Sequence, residues 1–162
     1  MPVEGVLPMT IVLAIDPGGT CGMAVVNIGD ASAPLEMSAV RGWQMPSEAC
    51  VDWCLANVRQ GWYVFMERFF ITAQTAQLSP EGSHAALDVI GTVKNICRWY
   101  GAGFEFQTAN DAKKFVSNEQ LKRLGLWRPN EDHARDALRH LVRGIVWRTA
   151  GGTCEDLKQR MT

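Results

Sequence analysis

The sequence predicts an α/β fold, because strand-like and helix-like patterns alternate along its 162 residues. A β-branched run at 10–15 ends in the turn sequence Asp-Pro-Gly-Gly, which is typical of a strand followed by a tight turn. Between Pro80 and Gly101, apolar side chains recur at helical spacing. The length fits one domain covering 1–162, with 1–9 and 151–162 expected to be flexible ends.

The first half of the chain contains most of the predicted strands. In order, we predict strands at 10–15, 22–28 and 35–44, a helix at 47–61 and a strand at 63–66. The first two strands form an antiparallel hairpin, and Ser47 is the N-cap of the helix. Residues 71–79 are uncharged and rich in Thr, Gln and Ala, and we interpret them as an irregular connection.

The second half is mainly helical. In order, we predict a helix at 79–101, a strand at 104–107, a helix from 110 that breaks near 117, and a helix at 129–149. At the break, Ser117 and Gln120 have the spacing of a capping box. The tail from Ala150 onward is expected to fray.

Composition and charge exclude several classes of protein. The formal net charge of −1 excludes a globally basic, histone-like DNA binder but is compatible with a local basic face. Apolar runs are far shorter than the roughly 20 residues of a membrane helix, and the N-terminal segment lacks a secretory pattern. Five cysteines without a CxxC pair argue against a disulfide framework and a zinc ribbon. We therefore expect a cytoplasmic protein without a membrane segment.

Two acidic residues follow predicted strands directly. Asp16 follows the first strand and begins the Gly-rich turn, and Glu67 follows the apolar strand 63–66. Ligands gather at the carboxyl ends of strands in open α/β sheets, so both are candidate metal ligands. Each also fits a structural role, Asp16 as a turn residue and Glu67 as a partner of Arg68 or Arg98.

The last predicted helix carries further candidate ligands. At about 100° per residue, one sector holds four polar residues: Asp132, His133, Asp136 and His140. The opposite sector is apolar and is expected to be buried: Ala134, Leu138, Leu141 and Ile145. Acids in the first helical turn also complement the helix dipole. Taken together, the strand-end and helix acids form a hard-oxygen set suited to Mg²⁺ or Mn²⁺ rather than zinc, and paired ions of this kind cleave phosphodiesters.

Three of these segments resemble the acidic motifs of RuvC-type Holliday junction resolvases, in the RNase H-like superfamily. Residues 13–24 (LAIDPGGTCGMA) resemble the opening motif, residues 65–67 (FME) the second motif, and residues 133–137 (HARDA) the motif of the C-terminal helix. The correspondence extends over about 10–149. The HARDA segment and the short length are most similar to phage-encoded members, which would place the protein in a host cytoplasm.

The resemblance implies a fold, an activity and a ligand set. The implied fold is RNase H-like, a five-stranded mixed sheet flanked by α-helices, in a homodimer. The implied activity is paired hydrolysis of phosphodiester bonds in branched DNA (four-way junctions, and also flaps and forks), leaving 5′-phosphates. It would use two Mg²⁺ ions per active site, with Mn²⁺ as substitute. Catalytic metal ligands would be Asp16, Glu67, His133 and Asp136, with Asp132 as an extra ligand.

The resemblance also implies DNA contacts. Phe70 matches an aromatic residue that family members insert into the junction centre, and Phe69 is the neighbouring candidate. Lys113 and Lys114 match a basic pair near the DNA backbone. Each also fits an ordinary role, since the aromatic residues could be core and the lysines a solvated face.

The charge distribution is consistent with a local basic surface. Residues 111–150 hold nine basic and five acidic residues, whereas residues 1–110 hold five basic and ten acidic ones. Arg135, Arg139 and Arg143 recur every fourth residue, and we expect this basic stripe, Arg135 and Arg139 above all, to contact phosphates.

The sequence also departs from the family. After Lys114, the segment Phe-Val-Ser-Asn-Glu replaces the Gly-rich spacer of bacterial members, which leaves the preferred branched substrate open. Two alternatives keep the fold: a non-catalytic protein that binds branched DNA, and a general RNase H-fold nuclease. The turn at 16–20 also resembles that of actin-like sugar kinases, but those need two such domains.

Overall fold

The computed structural model of the chain describes residues 10–78, 80–149 and 151–162. Within these residues there are five strands: β1 (Ile11–Asp16), β2 (Thr20–Asn27), β3 (Arg41–Pro46), β4 (Trp62–Glu67) and β5 (Gly103–Gln107). The same ranges contain seven α-helices: α1 (Ser47–Asn57), α2 (Ala73–Leu78), α3 (Pro80–Tyr100), α4 (Ala109–Phe115), α5 (Asn118–Arg123), α6 (Asp132–Arg148) and α7 (Gly152–Met161). The predicted flexible end at 1–9 lies outside the described residues.

The strands of the described chain form one mixed sheet in the order β3-β2-β1-β4-β5. β1 pairs antiparallel with β2, as the predicted hairpin requires, and β2 pairs antiparallel with β3. β4 lies parallel to both β1 and β5. The predicted fold class, a five-stranded mixed sheet flanked by helices, is thus confirmed.

Helices cover both faces of the sheet. Successive strand residues point to opposite faces, so each central strand contributes side chains to two separate cores. Val12 and Ala14 of β1 enter a core that they share with α6 and α7. Leu13 and Ile15 enter a second core with α1 and α3. The apolar sector predicted for the last helix is buried at all four positions, as expected, and three of them (Leu138, Leu141 and Ile145) lie in the first core.

Several boundaries in the first half differ from the prediction, including the start of β2 at Thr20 rather than at 22 and the end of α1 at Asn57 rather than at 61. β3 begins at Arg41 rather than at 35, because Leu35 is buried in the core and a 3-10 helix at Met37–Ala39 precedes the strand. Ser47 is the first residue of α1 and not its N-cap. Pro46 holds the cap position, since it still pairs with Thr20 in the sheet. The predicted N-cap was therefore wrong by one residue.

Two segments expected to lack regular structure are helical. Residues 73–78 form α2, in keeping with the high helix propensity of Ala, Gln and Leu. The tail forms α7, in which Cys154, Leu157 and Met161 are buried. These residues line one stripe at helical spacing, so the expected fraying of 151–162 was wrong. Ala150 and Ser79 lie outside the described residues.

The capping box is confirmed. The Ser117 hydroxyl accepts from the Gln120 amide at 3.2 Å, and the Gln120 side chain accepts from the Ser117 amide at 2.8 Å. All five cysteines are buried and free, as small core residues. No helix in the described part of the chain is long and apolar enough to span a membrane.

Candidate active site

Asp16 and Glu67 stand at the same edge of the sheet. They are the last residues of β1 and β4, and these strands are parallel neighbours with Ile15 opposite Met66. The buried strands therefore carry both carboxylates to adjacent positions. Asp16 is 6% exposed, and the Glu67 side chain is 17% exposed.

The N-terminus of α6 completes this site because it packs unusually close to β2. Gly22 lies opposite Asp16 in the sheet, and a Cβ at Gly22 would be 1.8 Å from the carbonyl oxygen of His133. The absence of a side chain at Gly22 lets the helix backbone rest on the strand. This contact places His133 and Asp136 beside Asp16.

A side chain from β3 caps the helix. Glu131 occupies the N-cap position of α6 without a capping hydrogen bond. The Gln44 side-chain oxygen instead accepts from the backbone amides of His133 at 3.0 Å and Ala134 at 3.4 Å. These amides have no partner within their own helix. Gln44 was not predicted, since its contact to α6 spans 89 residues of sequence.

Three predicted acids converge in space. Asp16, Glu67 and Asp136 each offer one carboxylate oxygen, and these oxygens lie within 4.8 Å of one another. Burial raises the pKa of Asp16, and the charges of Glu67 and Asp136 raise it further, against the lowering effect of a hydrogen bond from His133. Crowded carboxylates of this kind fit a hard divalent cation, which would offset their mutual repulsion.

His133 contacts this cluster directly. Its Nδ1 lies 2.7 Å from Oδ2 of Asp16, and the side chain is half-exposed. The hydrogen bond to Asp16 raises the pKa of His133, although partial burial acts in the opposite direction. Asp132 stands further out. Its side chain is 80% exposed and pairs with Arg135, so it contacts the site only as part of the cleft wall.

The acids line a cleft of about 580 Å³ that also contains Asp132, His133 and Phe69. The structure thus brings Asp16, Glu67, His133 and Asp136 together, leaves Asp132 at the rim, and adds one of the two candidate aromatic residues to the cleft. Phe70 points elsewhere. It is 61% exposed, and the Arg68 guanidinium lies 5.9 Å from its ring centroid. Neither aromatic residue is buried in the core.

The predicted basic residues fall into two groups. Lys113 and Lys114 on α4 are exposed, and Lys113 Nζ lies 3.2 Å from Oδ2 of Asp136 at the edge of the site. Arg135 is largely buried against Trp127, with its guanidinium 4.6 Å from the ring centroid, and donates to the Arg128 carbonyl oxygen at 2.6 Å.

Arg139 is turned inward. It is 8% exposed, donates to the Val116 carbonyl oxygen at 3.0 Å and contacts Asp136 and Asn118. This placement differs from the expected surface stripe, because position 139 faces the α4–α5 connection rather than solvent. The guanidinium holds Asp136 in place.

His140 was expected in the polar sector of the helix, but it is fully buried. Its Nε2 lies 2.8 Å from Oε2 of Glu67, and its Nδ1 lies 3.0 Å from Oε1 of Gln107. Glu67 is therefore paired with a histidine rather than with Arg68 or Arg98. A helical wheel could not reveal this, since it does not show that β4 and β5 cover that side of the helix.

Comparisons with known proteins identify the fold. No protein-family model and no curated protein sequence matches the chain. The structure of Thermus thermophilus RuvC in complex with a Holliday junction substrate is similar, with a TM-score of 0.57 and 18% identity, over 82% of this chain and 90% of that one. A second Thermus thermophilus RuvC structure has a TM-score of 0.56 and 18% identity, over 81% of this chain and 90% of that one. The chain has the RNase H-like fold that RuvC adopts.

Proposed function

We propose that the protein is a Mg²⁺-dependent, structure-specific DNA endonuclease that cuts four-way junctions and other branched DNA, leaving 5′-phosphates. The observation that carries the proposal is the convergence of Asp16, Glu67 and Asp136 at one edge of an RNase H-like sheet. The Holliday junction substrate held by the similar RuvC structure supports branched DNA as the substrate class.

The metal ligands follow from the cluster. Asp16, Glu67 and Asp136 would hold two Mg²⁺ ions, or Mn²⁺ as substitute, with His133 as a further ligand and Asp132 at the rim. When bound, such ions activate water and stabilise charge on the leaving oxygen of a phosphodiester. The carboxylates would balance the positive charge of the ions, and Arg139 pairs with Asp136 and holds its orientation.

The DNA contacts that we propose lie around the cleft. Lys113 and Lys114 would neutralise backbone phosphates, and displacement of Lys113 from Asp136 would accompany metal binding. Phe69, which lines the cleft, and the exposed Phe70 would stack on unpaired bases at a branch point, where such a contact contributes about 1–3 kcal/mol. Arg135 and Arg139 are largely buried, and they would hold the neighbouring side chains of this DNA-binding surface in position.

The experiment that tests the function is a cleavage panel. Labelled four-way junction, flap, fork, plain duplex and RNA–DNA hybrid are incubated with the protein in Mg²⁺, Mn²⁺ or EDTA. We expect metal-dependent cuts in the branched substrates, with the duplex spared. Preferred cleavage of the hybrid would instead identify a general RNase H-fold nuclease. Tight binding of junctions without cleavage in either metal would identify a non-catalytic binding protein.

We further propose that the active form is a homodimer. A four-way junction offers two equivalent strands related by a two-fold axis, and a symmetric dimer would place one site on each. Sedimentation velocity at micromolar protein concentration is expected to show a dimer. A strict monomer that still makes paired cuts would contradict the symmetric arrangement.

Metal affinity is expected to rise as the pH rises through the raised pKa of His133. Because the hydrogen bond to Asp16 raises this pKa, the imidazole stays protonated to higher pH than an ordinary histidine, and its charge opposes a cation. Titration calorimetry with Mn²⁺ at several pH values measures the effect. The control is His133→Asp, which keeps a ligand and should lose this pH dependence. A flat profile in the unmodified protein would contradict the prediction.

A further inference from the structure

His140 is an unusual residue for its place in the fold. It lies in the middle of α6, one turn after Asp136, and none of its side chain is exposed. A buried imidazole loses its hydration, so it is tolerated only where protein groups supply hydrogen bonds. An aliphatic side chain would satisfy packing at this position, and the imidazole therefore calls for another explanation.

Both ring nitrogens of His140 meet oxygen atoms of the sheet. Nε2 lies 2.8 Å from Oε2 of Glu67, and Nδ1 lies 3.0 Å from Oε1 of Gln107. Gln107 Nε2 donates in turn to the backbone carbonyl oxygen of His140 at 3.2 Å. Glu67 and Gln107 are opposite each other in the parallel pair of β4 and β5. The three residues thus form a closed, buried network.

We propose that His140, supported by Gln107, is a positioning residue that orients the Glu67 carboxylate for metal binding. This inference rests on the proposed function, because it assigns a role to a neighbour of the proposed metal ligand. His140 is buried and does not itself line the cleft. It acts on the site only through Glu67.

The physical effect is a restriction of carboxylate rotation. With Oε2 held by His140, the Glu67 carboxylate cannot turn freely about its last bond, and Oε1 is the oxygen that remains free of this hydrogen bond. Without the imidazole, Glu67 would adopt several orientations, and metal binding would have to select one of them. Outer partners of metal ligands typically change metal affinity by about 10- to 100-fold.

The test measures Mn²⁺ binding by titration calorimetry on the DNA-free protein, so that it does not depend on cleavage. His140→Leu is expected to weaken binding by about 10-fold or more. His140→Gln keeps an amide donor near the position of Nε2, and we expect it to restore most of the affinity. Ile145→Val, a buried change on the same helix, is the control and should leave affinity unchanged.

A double-mutant cycle separates a positioning role from a structural one. In a Glu67→Gln background, His140→Leu should have no further effect on affinity, because the carboxylate through which it acts is gone. An equal loss in both backgrounds would overturn the inference. If His140→Leu does not fold, as judged by circular dichroism, Gln107→Met replaces it, and a weakening of several-fold is expected.

The outcomes for this inference and for the proposed function are distinguishable. If the unmodified protein binds Mn²⁺ but His140→Leu binds it equally well, the positioning role is wrong and the metal site stands. If the unmodified protein binds no Mn²⁺ at all, the metal site itself is wrong, and the positioning role fails with it.

Discussion

Replacing Asp16 by asparagine is expected to slow cleavage of branched DNA by at least about a thousandfold. Asparagine keeps the size of the side chain and can still accept a hydrogen bond from His133, but it removes the charge that a metal ligand supplies. The basic and aromatic surface around the cleft is unchanged. We therefore expect DNA affinity within about threefold of the unmodified protein, which is less than about 1 kcal/mol.

Single-turnover cleavage in the presence of the metal measures the effect on rate. Fluorescence anisotropy in EDTA measures the effect on DNA affinity separately. The matched control is Asp88→Asn, which makes the same chemical change on the exposed surface of α3 and should leave both unchanged. Cleavage by Asp16→Asn at a rate near that of the unmodified protein would show that the metal site was assigned to the wrong residues.

The same substitution should stabilise the metal-free protein. The folded-state pKa of Asp16 is raised, mainly by burial, so the charged form opposes folding at pH values above that pKa. Asparagine removes this unfavourable charge. Thermal unfolding in EDTA should therefore give a higher Tm for Asp16→Asn, while the increase in Tm that Mg²⁺ produces in the unmodified protein should disappear.

Replacing Gly22 by alanine is expected to have the largest effect on stability. A Cβ at Gly22 would lie 1.8 Å from the His133 carbonyl oxygen and 2.9 Å from the Ala134 nitrogen, which are backbone atoms that no rotamer change can move. The helix must shift away from β2. We expect the free energy of unfolding to fall by about 3 kcal/mol, which for this size lowers the Tm by roughly 6–12 °C.

Thermal unfolding and Mn²⁺ binding together measure the effect of Gly22→Ala. Metal affinity should fall as well, since the shift carries Asp136 away from Asp16. The control is Gly91→Ala on α3, where an added Cβ would meet no atom within 4 Å, and which should raise stability by about 0.5–1 kcal/mol. An unchanged Tm for Gly22→Ala would mean that α6 lies further from the sheet than the structure places it.

The parts of the site on the strands could be predicted from the sequence, because the signals are local. Asp16 and Glu67 each follow an apolar run at a turn, and such runs end at the edge of a sheet whatever the strand order. The third acid, Asp136, could be predicted because helical spacing separates it from a clear apolar face. These patterns depend on residues only a few positions apart.

Other features required the tertiary structure. The sequence suggested that α7 would fray, yet Leu157 is buried because the first core extends to it. Arg139 was expected in a basic surface stripe and His140 in the polar sector of the last helix, yet both are buried by elements distant in the chain. A helical wheel distinguishes an apolar face from a polar one. It does not distinguish a polar face in water from one that forms a hydrogen-bonded network with a neighbouring strand.

The sequence by itself therefore determined the fold class and the hairpin, and it named the three acids among five candidate ligands. Only the tertiary structure decided how close those acids come to one another, and which side chains hold them. Their convergence depends on parallel pairing of β1 with β4 and on contact between α6 and Gly22. Local patterns specify the elements, whereas distances between elements are set by packing across the whole fold.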